Sequence, residues 1–110
     1  MKVEQKGHTT IIKDTHGQTQ EFLSKFTHEY NSYKNTNLIL DLTHDKHLKM
    51  DDVKSFTELI KNHQKQKKSI VLVADNVNFN AVPKNIILVP TLLEAHDIIE
   101  MEEIERDLGF

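Results

Sequence analysis

Two apolar runs constrain this chain more than anything else in it: Leu38-Ile39-Leu40 with Leu42, and Ile70-Val71-Leu72-Val73-Ala74. Neither run alternates with polar residues. A strand of continuous apolar residues is covered on both faces, the hallmark of parallel strands with helices above and below. The segment between them has a different period. Val53, Phe56, Leu59, Ile60 and His63 recur at three- and four-residue steps, which places them on one face of a helix from Met50 to about His63, with Lys54, Glu58, Lys61 and Asn62 outside it. Asp51 and Asp52 sit at the start of that helix and Lys61, Lys65, Lys67 and Lys68 crowd its end. Both placements suit the helix dipole. Residues 37–74 therefore read as one β-α-β unit, with the right-handed crossover such units adopt.

The rest of the chain extends this unit in both directions. Lys2–Lys6 and His8–Lys13 read as two short strands joined near Gly7. The first is almost wholly polar, as suits a sheet edge with one face in water, and Thr9-Thr10-Ile11-Ile12 has strong β-propensity. Asp14-Thr15-His16-Gly17 is a turn. A helix then begins at about Thr19, a candidate N-cap, and carries Phe22, Phe26, Tyr30 and Tyr33 as an aromatic stripe, with Leu23 beside them. Aromatic residues at helical spacing with no interleaved bases belong to a core rather than to a base-stacking surface. After the second buried run, Asp75 to Pro83 is an Asn-rich loop with room for one short helical turn, Phe79 and Val82 facing inward. Ile86–Val89 is a fifth strand. Thr91 and Glu94 form a capping box that opens the last helix.

That last helix has two apolar faces. Leu92, Ala95, Ile98 and Ile99 share one; Met101, Ile104 and Leu108 share another. One straight helix on a sheet cannot bury both, so the helix either bends near Glu100 or packs its second half on something else. Self-association through Met101, Ile104, Leu108 and Phe110, giving a homodimer, is one expectation. The charge distribution offers another. Residues 91–110 hold seven acids against one base, Arg106, a balance of −6, while residues 1–90 hold 13 Lys against ten acids, a balance of +3. An acidic tail on a mildly basic body is a solvated helix face or a docking surface for a basic partner.

Length and composition bound the function classes. The 110 residues suit a single domain spanning residues 1–110, of α/β class, with a mixed sheet of about five strands and the element order β-β-α-β-α-β-(short α)-β-α. There is no cysteine, hence no disulfide framework and no thiolate metal site. Three glycines, Gly7, Gly17 and Gly109, are too few and too scattered for a phosphate-cradling loop. No Ser sits in an evident nucleophile setting, so no catalytic residue and no cofactor are assigned. The Lys61–Lys68 group is narrow and the net charge is −3, which argues against nucleic-acid binding. No apolar run reaches the ~20 residues a membrane helix needs, and the first residues lack a signal core, so a soluble cytoplasmic protein is expected. In the loop Thr43-His44-Asp45-Lys46-His47, His44 and His47 with Asp41 or Asp45 form the nearest approach to a ligand set, but Lys46 between them opposes a cation.

The element order resembles that of the STAS domain, the fold of bacterial anti-sigma factor antagonists and of the cytoplasmic tails of sulfate transporters. Asp41-Leu42-Thr43 is similar to the family's Asp-Leu-Ser at the end of the third strand, and Thr91-Leu92-Leu93-Glu94-Ala95 to its Ser-Leu-Glu-Glu-Ala opening of the last helix. The resemblance implies a STAS-like domain that acts as a non-enzymatic interaction or regulatory module. It also implies a contact surface at the start of the second helix and in the loop before it, made of His44, His47, Met50, Asp51, Asp52 and Lys54, with Ser55 one turn in. Phospho-switched members carry an Asp-Ser-Ser-Gly motif there, whose second Ser takes the phosphate. Here the stretch is Lys49-Met50-Asp51-Asp52, so Asp51 stands where the family has its phosphoacceptor. The resemblance then implies a lost switch with a permanent anion in its place.

The chain also resembles short chains named ribonuclease Z. Nuclease activity does not follow, because such enzymes are metallo-hydrolases several times larger with a His-x-His-x-Asp-His motif, and His44-Asp45-Lys46-His47 has the wrong order and spacing. A factor linked to that enzyme in tRNA processing, or a small accessory enzyme or ligand binder using His44 and His47, remain alternatives to the interaction module. Neither reading names the partner.

Overall fold

A computed structural model describes residues 1–109 and shows an α/β fold built on a five-stranded mixed sheet. The strands are β1 (Lys2–Lys6), β2 (Thr9–Lys13), β3 (Asn37–Asp41), β4 (Ile70–Val73) and β5 (Leu88–Val89), and they lie side by side in chain order. β1 runs antiparallel to β2; the three remaining pairings are parallel. The β-α-β unit read from the two apolar runs is therefore present, with Leu38 opposite Ile70 and Leu40 opposite Leu72.

The period of two along each strand sorts its side chains into two cores. Ile12, Leu38, Leu40, Leu42, Ile70, Leu72 and Ala74 point to one face. There they meet Phe22 and Phe26 of α1 (Thr19–Glu29), Val53 of α2 (Met50–Lys54) and Ile60 of α3 (Thr57–Lys65), with Phe56 between the last two. Ile11, Ile39, Val71 and Val73 point to the other face and meet Ala95 and Ile99 of α4 (Leu92–Asp107). Three helices cover one face and one helix covers the other. That is why β3 and β4 are buried at every residue, while β1, with a partner on one side only, is exposed throughout.

Several expectations change in detail. The single helix from Met50 to His63 is two. The chain tightens at Ser55 and Phe56, where Ser55 N–H reaches Asp51 O and Asp52 O and Phe56 N–H reaches Val53 O. The hydroxyls of Ser55 and Thr57 bond back to Asp51 O and Lys54 O at 2.9 and 2.7 Å. Such back-bonding competes with the helical ladder, and two hydroxyl residues so close together break it. β5 keeps only two residues of the expected four. Phe79, expected to face inward, is 41% exposed on a one-turn helix, Phe79–Ala81; Val82 does pack on the core. Leu92 is 38% exposed at the edge of the α4 core face. α4 itself runs unbroken past Glu100, and Met101, Ile104 and Leu108 are 60, 54 and 64% exposed. Phe110 lies outside the described residues.

Candidate functional site

Parallel pairing of β2 through β5 puts their carboxyl ends on one edge of the sheet, so the segments that follow them meet there. This is the edge where α/β folds place ligands. Three aspartates gather in it, and the structure gives each a definite task.

Asp41, the last residue of β3, accepts from Thr43 N–H at 3.0 Å and from the Thr43 hydroxyl at 2.7 Å with the same carboxylate oxygen. The Asp-Leu-Thr signature is thus an Asx turn that ends the strand and starts the loop. Asp14 N–H donates to Asp41 O at 3.0 Å, which ties the loop after β2 to this turn. One Asp14 oxygen accepts from His16 N–H and Gly17 N–H; the other is buried and has no partner among the described residues. Gly17 has φ +72°, and a Cβ there would stand 2.9 Å from His44 O. The position requires glycine twice over, for its left-handed backbone and for the approach of the His44 loop.

Asp45 joins the loop to α1. Its Oδ2 accepts from Thr19 N–H at 3.3 Å and from the Thr19 hydroxyl at 2.7 Å, and its Oδ1 accepts from His47 N–H at 3.0 Å. Thr19 is therefore the first residue of α1 and a donor. The residue before it, Gln18, makes no side-chain cap. An acid 26 residues further along the chain supplies the cap instead. Burial pushes the Asp45 carboxyl up, but the Thr19 hydroxyl, the two N–H groups and the nearby His47 outweigh it, and the pKa is lowered. Asn76 Nδ2 closes the other side of the loop by donating to Lys46 O at 2.9 Å.

The residues expected to form a contact surface fall on this loop and the helix after it. His44 and His47 are exposed, Met50 is half-buried against the main core, and Asp51, Lys54 and Ser55 are exposed. Asp52 is occupied within the fold. Its Oδ2 accepts from Lys49 N–H at 3.0 Å, and its Oδ1 accepts from Gln20 Nε2 of α1 at 2.9 Å. Gln20 also donates to the Ser55 hydroxyl at 3.1 Å. Asp51 differs: among the described residues its carboxylate accepts no hydrogen bond. No group of three or more His, Asp or Glu side chains that could hold a metal ion is found among the described residues.

Two polar groups away from this loop are structural. His63 is fully buried. Its Nε2 faces Thr36 O at 2.8 Å, so it carries the proton, and its Nδ1 accepts from the Tyr30 hydroxyl at 2.7 Å. Gln66 Nε2 in turn donates to that hydroxyl. On the other face of the sheet, Arg106 donates to the Ser69 hydroxyl and to Asn37 Oδ1, while the Ser69 hydroxyl donates to Glu102. The sole base of the acidic tail is thereby turned inward. A His at a core position of a helical stripe was the available signal for the first group. Nothing local signalled the second.

No helix among the described residues is long and apolar enough to cross a membrane. No family model matches this chain, and no curated protein matches it.

Proposed function

We propose that the chain is a non-enzymatic, STAS-like interaction module whose contact surface is the His44–Ser55 segment, centred on Asp51. The carrying observation is the contrast among the acids. Asp41 spends one oxygen on an Asx turn, Asp45 both on a helix cap and its own loop, and Asp52 both on Lys49 N–H and a tie to α1. Asp51 stands on the same segment, exposed and without an internal partner among the described residues. An exposed carboxylate that accepts no hydrogen bond among the described residues, beside exposed His44, His47 and Lys54, is suited to recognition by another protein. It sits where the resembled family carries its phosphoacceptor, so the surface holds a constant negative charge in place of a switched one.

The alternative, a metal or small ligand at His44 and His47, has weaker support, since no group of three or more His, Asp or Glu side chains converges there among the described residues. A ribonuclease Z-linked factor would be one case of the interaction module, with that enzyme as partner.

The test is capture of partners from the source cell by the wild-type protein, Asp51→Lys and Lys54→Glu, each checked for unchanged thermal unfolding. Loss of the same protein from both variants supports the reading. Capture that is indifferent to positions 51 and 54 sinks it.

A further inference from the structure

The outward face of α4 is a second, independent feature, on the opposite side of the sheet from α1, α2 and α3. At 3.6 residues per turn, Leu93, Met101, Ile104 and Leu108 lie within about 80° of one another, opposite the buried Ala95 and Ile99. They are 72, 60, 54 and 64% exposed, so four large apolar side chains form one unpartnered stripe nearly the length of the helix. Asp97 lies within the stripe. Glu94 and Glu105 flank it on one side, Glu100 and Asp107 on the other, and all five acids are exposed. Arg106, which could have offset them, points to Ser69 and Asn37 on the inner side.

We infer that this face docks a basic amphipathic helix of a partner protein, with an apolar stripe laid on Leu93, Met101, Ile104 and Leu108 and Lys or Arg on both flanks. Charge decides the occupant. A second copy pairing α4 with α4 would bring mostly acid against acid in either orientation, since both flanks of the stripe are acidic and the bases near it, Lys6, His8 and His96, gather around Leu93, Asp97 and Glu100. Like charges placed directly opposite one another disfavour such pairing. Nucleic acid and anionic lipid are repelled by the same acids. A helix with basic flanks satisfies both halves of the surface: its apolar side chains cover the stripe, and its cations meet acids on either side. Asp97 sets the register, because it needs a cation opposite it. This surface does not depend on the Asp51 surface, and either can fail without the other.

The probe is a synthetic amphipathic peptide of about five turns, with Leu along one stripe and Lys on both flanks, beside a control with the same Leu stripe and Glu flanks. Binding is read by fluorescence anisotropy against the whole protein. The Lys-flanked peptide is expected to bind, to weaken as salt is raised, and to lose at least about tenfold, or ~1.4 kcal/mol, when Ile104→Asp and Leu108→Asp are combined. Both residues are more than half exposed, so the variant keeps its fold; a matching thermal transition checks this. Glu100→Lys with Glu105→Lys should weaken the same peptide without touching the stripe. The inference is overturned if the Glu-flanked peptide binds as well, if the combined variant binds unchanged, or if the wild-type protein sediments as a dimer that Ile104→Asp dissociates.

Discussion

At the scale of single residues, buried polar groups report on the solvent. His63 is enclosed with one ring nitrogen donating to Thr36 O and the other accepting from Tyr30. Its pKa is lowered, first by burial and further by the charge of Lys68, although the Thr36 bond raises it. The unfolded chain takes up a proton on this residue near its ordinary 6.5, while the folded protein resists until lower pH. The unfolded state therefore binds more protons in that window, and stability falls as the pH drops below about 6.5. Urea unfolding at pH 7 and pH 5 should show the loss. His63→Gln, which can still donate to Thr36 O and accept from Tyr30, should flatten the slope. An unchanged slope in the variant would assign the effect to other groups.

At the scale of elements, the ends of helices show where the chain depends on distant partners. α4 opens locally: Thr91 Oγ1 accepts from Glu94 N–H at 3.1 Å, as the Thr-Leu-Leu-Glu spacing leads one to expect. The return bond differs from a full capping box, since Glu94 accepts from the Thr91 hydroxyl rather than from its N–H. α1 instead receives its cap from Asp45. Asp45→Ala removes three accepted bonds and leaves the buried Thr19 without its acceptor, so it should cost about 1–3 kcal/mol. Thermal unfolding measures the loss. Amide exchange should show the first turn of α1 opening before the rest of that helix. Asp45→Asn should recover part of the loss, because its carbonyl still accepts. The break between α2 and α3 makes the same point in reverse: apolar spacing is continuous from Val53 to His63, but two hydroxyls bonded back to the chain divide it.

At the scale of the whole molecule, the two faces of the sheet are unequal. Phe26 is fully buried in the larger core, its ring 6.4 Å from Phe22, 6.1 Å from Tyr30 and 5.9 Å from Tyr33, while Ala95 and Ile99 are the only fully buried apolar anchors of α4 among the described residues. Phe26→Ala should cost about 3–5 kcal/mol. Against the ~5–15 kcal/mol that holds a typical domain together, that loss should lower the urea midpoint steeply without changing the slope. The α4 side is held by less apolar burial and by the Arg106–Ser69–Glu102 bonds. It leaves an apolar stripe uncovered because a single helix has only one inward face.

Patterns between near neighbours were enough to read the two buried strands, the aromatic face of α1, the polar edge strand and the two-faced last helix. Each follows from periodicity, and periodicity is local in the chain. Periodicity did not single out Asp51, since Asp52 shares the same helix start; only the family resemblance drew attention to it. What each acid does, by contrast, depends on groups brought together only by folding. Asp45 caps a helix that began 26 residues earlier. Gln20 reaches across to Asp52, and Arg106 crosses 69 positions to Asn37. Hydrogen bonds of this range carry no signature in spacing or composition, because either partner would look the same along the chain if the other were absent. Tertiary structure alone decided which carboxylates were consumed by the fold and which were left facing water.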